Sequence, residues 1–160
     1  MSLQANTHHK TVAYIFVAVF LVGTDRFLKV AAINNLFLEP KKIIGNFVQL
    51  VFEKNPHIAF SLPLGGVFLN LAIILMLVGL MVHANYLFKT KQKEIGAMIS
   101  IIILGASSNL FDRLKYGFVI DYVDVRYFTV FNLADFTILL GVLLILLNKR
   151  KVHAILRVLF

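Results

Sequence analysis

Two aspartates stand in surroundings that carboxylates rarely occupy. Asp121 lies in the apolar run GFVIDYVDV and Asp135 in FNLADFTILL. Two carboxyl groups held close together cannot easily both ionise, so one keeps its proton and donates it while the other acts as base on a water molecule. Apolar surroundings strengthen that division of labour, and such a pair hydrolyses an amide without metal or covalent intermediate. Asp124 is a rival for Asp121, but it lies three residues on, where strand alternation puts it on the opposite face. A serine–lysine pair is a second reading. Ser107 and Ser108 close one apolar segment, Lys29 closes another, and a lysine desolvated at a membrane can serve as base; both aspartates are then left unexplained. The HExxH, GxSxG, Asp-Thr-Gly and Gly-x-Gly-Asp signatures of other hydrolases are absent from the chain. His8, His9, His57 and His83 lack metal-ligand spacing, and with no cysteine in the chain thiolate chemistry is excluded.

The elements that must position these groups follow from composition. Of 160 residues, 59% are hydrophobic and only 15% charged, against roughly 25% charged in an ordinary soluble domain. A water-soluble globule of this size cannot cover so much apolar surface, and a mean hydropathy of +0.85 describes a chain dissolved in lipid. The net charge of +8 is scattered between hydrophobic stretches, which fits cationic loops retained on the cytoplasmic side rather than a nucleic-acid partner. A bilayer core needs roughly 20 apolar helical residues. Residues 11–33, 64–88, 95–111 and 131–147 supply four spans, the last two short, in one integral membrane domain over residues 1–160. Lys10, the Lys89–Lys93 loop and the Lys149–Arg157 tail share one side, which makes both termini cytoplasmic. Asp25, Arg26 and Lys29 follow the first apolar run without a small-x-small cleavage site, so the first span reads as a retained helix. Between the spans on the outer side, residues 47–52 and 118–125 are β-prone, with a turn signal at Gly45 and Asn46. The expected fold is an all-α membrane protein of four transmembrane helices with a small extracytoplasmic β-sheet.

With a helical rise of about 1.5 Å per residue, that topology brings Asp25, Lys29, Asn109, Asp112, Arg113, Asn132 and Asp135 to one level near the outer interface. Ionisable groups at membrane depth persist when they pair, line a cavity or perform chemistry. Each also has a plainer role: Asp25 and Lys29 an i,i+4 ion pair, Asn132 a helix cap, Arg113 a snorkelling side chain.

At these residues the chain resembles the lipoprotein signal peptidases, the bacterial signal peptidase II family. Four separated blocks carry the likeness. Asp25-Arg26-Phe27-Leu28-Lys29 is similar to D-x-x-x-K, and Asn55-Pro56-His57-Ile58-Ala59-Phe60 to N-x-G-x-A-F. Gly105 to Arg113 resembles G-A-x-G-N-x-x-D-R and continues through Gly117 to Val119-Ile120-Asp121-Tyr122, while Phe131-Asn132-Leu133-Ala134-Asp135 matches F-N-x-A-D. The resemblance implies that Asp121 and Asp135 are the catalytic pair. It implies too that Asp25, Lys29, Asn55, Asn109, Asp112, Arg113, Asn132 and Ala134 bind at or shape the site. The implied substrate is a prolipoprotein whose cysteine carries diacylglycerol, cut on the amino side of that cysteine by a monomer in the bacterial cytoplasmic (inner) membrane. The site lies on the extracytoplasmic side, in contact with membrane lipid, with no metal or cofactor. His57 and Ser108 stand where the family has glycine, and His57 is expected to alter the loop that meets the substrate. Two other readings remain: a divergent, weakly active paralogue, and a small transporter or scaffold with structural ion pairs.

Overall fold

The structure, a computed structural model, describes residues 2–37, 39–56, 66–90 and 92–148. Its elements run α1 (Ser2–Ile33), β1 (Lys41–Ile44), β2 (Val48–Asn55), α2 (Gly66–Lys89), α3 (Lys93–Tyr116), β3 (Val119–Val125), β4 (Val130–Phe131) and α4 (Leu133–Leu147). α2, α3 and the His8–Ile33 part of α1 are long and apolar enough to cross a membrane; α4 is apolar over 15 residues. Large apolar side chains such as Phe16, Phe20, Phe68, Leu75 and Val82 face outward. Water would not tolerate that surface, and a hydrocarbon solvent does.

The antiparallel sheet has the order β1-β2-β3-β4. It sits where α1 and α3 end and α4 begins. Ala31, Ala32 and Phe37 from the end of α1 pack against Ile120 and Tyr122 of β3, with Leu50, Phe52 and Leu133 around them. This small core fastens the sheet to the helices.

Several boundaries differ from the sequence-based expectation. The third helix continues past Phe111 to Tyr116, because Asp112 is neutralised inside the protein. It stops where Gly117, at φ 81°, takes the left-handed conformation and donates its N–H to the Arg113 carbonyl. Phe131 belongs to β4 rather than to the fourth helix, which Asn132 caps. α1 begins as early as Ser2. Phe47 lies in the β1–β2 turn with Gly45 and Asn46, and β2 runs on to Asn55. The start expected for the second span, Leu64 and Gly65, lies outside the described residues, as do His57, Lys91 and the tail from Lys149.

α3 and α4 approach each other over glycines. A Cβ on Gly105 would stand 2.7 Å from the Ala134 carbonyl oxygen, and one on Gly141 would stand 2.6 Å from the Ile102 side chain. Backbone cannot give way as a flexible side chain can, and overpacking of this kind costs about 1–3 kcal/mol. Gly105→Ala is expected to lower the thermal unfolding midpoint in detergent. Gly23→Ala, where a methyl group meets nothing within 4 Å, leaves the midpoint unchanged or slightly raised; equal midpoints for the two variants would contradict the close crossing.

Candidate active site

The foundation of the site is a set of charges removed from water. Asp25, Lys29 and Asp112 are each 0% exposed. The Lys29 ammonium lies 2.7 Å from Asp112 and 3.2 Å from Asp25, and Arg26 forms a second ion pair with Asp112. Two cations thus balance two carboxylates, the condition under which buried charge is tolerated. Lys29 also donates to Asn109 Oδ1 at 2.7 Å, which engages all three donors of its ammonium. Asp25 accepts from Ser108 Oγ at 2.6 Å, from the Tyr122 phenol at 3.0 Å and from the Ala134 N–H at 3.2 Å. Asp112 accepts from the Ile120 N–H at 3.4 Å. α1 and α3 thereby hold the backbone amide that precedes each of Asp121 and Asp135, and the phenol of the residue that follows Asp121.

The two aspartates meet through Asn132. The extended backbone of Asn132 makes it the N-cap of α4, and its side chain accepts from the Asp135 N–H at 2.9 Å. The Asp135 carboxylate answers by accepting the Asn132 N–H at 3.3 Å, a reciprocal capping box. The other end of the same side chain donates to Asp121 at 2.6 Å. Asn55 donates to the second oxygen of Asp121 at 2.9 Å, and Asn109 donates to Asp135 at 2.7 Å. The strand register explains the reach of Asn55. It pairs with Val119, whose side chain shares a face of β3 with that of Asp121. Each carboxylate therefore has two donors, with one residue common to both.

Burial pushes the Asp121 carboxyl up to about 6; the Asn55 hydrogen bond opposes this, the charge of Asp135 adds to it, and Asn132 and Lys29 oppose it. Asp121, Asp135 and Asn55 line one end of a cavity of about 480 Å³. Apart from Thr129 its remaining walls are apolar: Phe128, Val130 and Phe131 from the sheet side, then Phe136, Ile138, Leu139 and Val142 along α4. Arg113 is half-buried, its charge interacts with Asp121, Asp135 and Asp112, and it donates to the Pro56 carbonyl at 3.4 Å.

All ten residues singled out in the sequence lie in or against this junction. Asp124 does not join them, since it is half-buried and sits across the ladder from Gln49 and Val130. The serine–lysine geometry is not favoured, because the Ser108 hydroxyl is committed to Asp25 and the Lys29 donors are used elsewhere. Three contributors escaped the sequence reading: Arg26, Tyr122, and Ser108 as a hydrogen-bond donor. A hydroxyl-bearing ring in an otherwise apolar strand beside Asp121 was the available signal for Tyr122. Among the described residues no group of three or more His, Asp or Glu side chains is placed to hold a metal ion.

Long apolar helices, a small antiparallel sheet at one end and a polar pocket at their junction define a helical membrane enzyme. Two solved structures described as a bacterial membrane enzyme share the fold. One has a TM-score of 0.72 at 24% identity, with 87% of this chain and 88% of that chain covered; the other has 0.69 at 24%, covering 87% and 93%. The profile of the family described as signal peptidase (SPase) II matches residues 17–150, and the chain belongs to that family. The lipoprotein signal peptidase of Buchnera aphidicola subsp. Schizaphis graminum is 32% identical over 145 residues, covering 83% of this chain and 90% of that protein. That of Clostridioides difficile is 33% identical over 135 residues, covering 80% and 88%. That of Bartonella henselae is 34% identical over 146 residues, covering 85% and 87%.

The displaced titration of Asp121 has a consequence for stability. The folded protein keeps a proton on Asp121 up to about pH 6, whereas an unperturbed aspartate releases it near 3.8. Within that window the folded state binds more protons, so this group's contribution to stability falls as pH rises and levels off above the window. Relative to the wild type, Asp121→Asn is expected to gain unfolding midpoint progressively between about pH 4 and 7. A difference independent of pH, measured by thermal unfolding in one detergent, would contradict the assigned burial.

Proposed function

We propose that this protein removes the signal peptide from prolipoproteins as an aspartic endopeptidase, with Asp121 and Asp135 as its catalytic pair. The observation that carries the assignment is the double grip of Asn132, which holds both carboxylates at the head of one apolar cavity. In the reacting form the pair shares one proton, which this reading assigns to Asp121, whose carboxyl burial pushes up to about 6. Asp135 takes a proton from water as the oxygen adds to the peptide carbonyl carbon, and Asp121 gives its proton to the carbonyl oxygen. Collapse of the tetrahedral intermediate breaks the C–N bond; the proton held by Asp135 passes to the leaving amine, and one hydroxyl proton of the intermediate returns to Asp121 as the new carboxyl group forms. The cut falls on the amino side of a cysteine already carrying diacylglycerol. The apolar walls from Phe128 to Val142 suit acyl chains or a hydrophobic signal segment arriving from the bilayer. Asn55, Asn109 and Asn132 orient the carboxylates, Arg113 lies beside both of them, and Asp25, Lys29, Asp112 and Ala134 hold the frame.

The same reading makes α4 a fourth span. It puts both termini in the cytoplasm and the sheet with its site on the extracytoplasmic face of the bacterial inner membrane, in a protein acting as a single chain. The transporter and scaffold alternatives are not favoured, because the family and the curated relatives are peptidases.

Purified protein incubated with a diacylglyceryl-modified precursor is expected to release two fragments of the predicted masses and to leave the unmodified precursor intact. Asp121→Asn and Asp135→Asn, made separately, are each expected to cut turnover by roughly 10³-fold or more while remaining folded, since members of a catalytic unit fail individually. Near-normal turnover by either variant rejects the pair. The cysteine-free chain also allows a direct test of topology. On spheroplasts, a membrane-impermeant maleimide is expected to label Arg126→Cys in the β3–β4 turn and to spare Thr90→Cys in the α2–α3 turn. The inverse pattern would reverse the proposed orientation.

A further inference from the structure

The face of β3 turned away from the carboxylates carries Tyr122, the residue that follows Asp121. It is 0% exposed and the bulkiest side chain buried so completely. Its phenol oxygen does two things at once, donating to Asp25 at 3.0 Å and accepting the Leu133 N–H at 3.1 Å. The same Asp25 oxygen accepts the Ala134 N–H at 3.2 Å. Leu133 and Ala134 are the first two residues of α4, and Asp135 is the third. The first amides of a helix have no partner within the helix. Here Tyr122, Asp25 and Asn132 supply partners for three in succession.

We propose that Tyr122 is a positioning residue for the peptidase reaction, its hydroxyl setting the separation of Asp121 on β3 from Asp135 on α4. The inference rests on the catalytic pair proposed above. Asn132 links the two aspartates from the cavity side, and Tyr122 links the residues beside them from the reverse side. With both links in place the first turn of α4 cannot rotate against β3. Asn132 alone leaves a single pivot. The groups facing the phenol are Asp25 from α1 and Asp135 from α4, with Lys29 and Ser108 held on Asp25 behind them. Burial and the neighbouring Asp25 charge raise the phenol's titration, so it stays protonated and donating. Misplacement of reacting groups by about 1 Å can cost 10²-fold in rate, so a fraction of that movement is enough to register in turnover.

Two variants open the link from opposite ends. Tyr122→Phe removes only the hydroxyl. Leu133→Pro removes the N–H that the hydroxyl accepts and sets a ring carbon in its place, which presses the hydroxyl away; because it also removes a side chain packed around the small core, Leu133→Ala is measured beside it as the packing control. Proline suits the first position of a helix, and Asn132 already has the extended backbone, φ −131° and ψ 170°, that a residue before proline adopts. Steady-state cleavage of a diacylglyceryl-modified precursor is measured from pH 4 to 9 for wild type and both variants. Both are expected to lose about tenfold in kcat with KM within twofold. Their pH–rate limbs are expected to move toward each other, because carboxylates set further apart couple less strongly. A tyrosine that merely filled the core would lower the yield or the unfolding midpoint and leave the limbs in place. Wild-type-like kcat, or limbs that do not move, in the folded variants overturns the role of Tyr122. If Tyr122→Phe yields no folded protein, Leu133→Pro decides alone. Failure of the wild type itself to cleave the lipidated precursor overturns the catalytic pair instead.

Discussion

The architecture depends on one ammonium group that cannot reach water. Lys29, 0% exposed, is shared between Asp25 and Asp112. Removing any one of these charges leaves another unpaired in a medium of low dielectric, where breaking a buried pair typically costs about 3–5 kcal/mol. The pairing also has direction. The carboxylates it neutralises spend their remaining lone pairs on the Ile120 and Ala134 amides and the Tyr122 phenol. Neutralising the charges and locating the backbone beside Asp121 and Asp135 are therefore the same set of bonds. The strand and the helical turn that carry Asp121 and Asp135 inherit the rigidity of α1 and α3.

On that frame the two aspartates differ in support. Asp121 stands on a strand, gripped by two side-chain amides, while Asp135 stands in the first turn of a helix with its own cap folded back on it. Asn132 belongs to both arrangements, so the two local geometries meet in one residue. The cavity then does the rest by excluding polar surface: beyond Asp121, Asp135 and Asn55 its walls are almost wholly aromatic and aliphatic. In such surroundings every hydrogen bond to a carboxylate counts for more than it would in water.

Much of this was legible in the chain because lipid is a simple solvent. The spans follow from hydropathy, and the common level of Asp25, Asn109 and Asp135 follows from helical rise alone. The spacing of Asn132 and Asp135 is that of a cap and its third residue. Hydropathy failed where a charge is neutralised by tertiary contact. Asp112 and Arg113 look like the end of a span, yet the helix runs to Tyr116 because the Asp112 charge is met by Lys29 and Arg26. The reach of Asn55 to Asp121 depends on strand register, shifted by an irregularity between Leu50 and Glu53 that no local signal announces. Tyr122 was hidden for a similar reason, since its role exists only once α4 has been laid across the back of β3.

The contacts of Asp25 are widely separated along the chain. Its partners Ser108, Tyr122 and Ala134 lie 83, 97 and 109 residues further on. A ribosome delivers α1 to the bilayer long before any of them exists, and at that stage the partner that Asp25 meets within its own helix is Lys29, one turn away. The i,i+4 pair thus has a career in two stages: first as a self-contained neutral couple that lets a newborn helix rest in hydrocarbon, later as the socket into which α4 locks. Order of synthesis and order of assembly are bound together, and the junction that joins Asp121 to Asp135 cannot come into being before α4 has arrived.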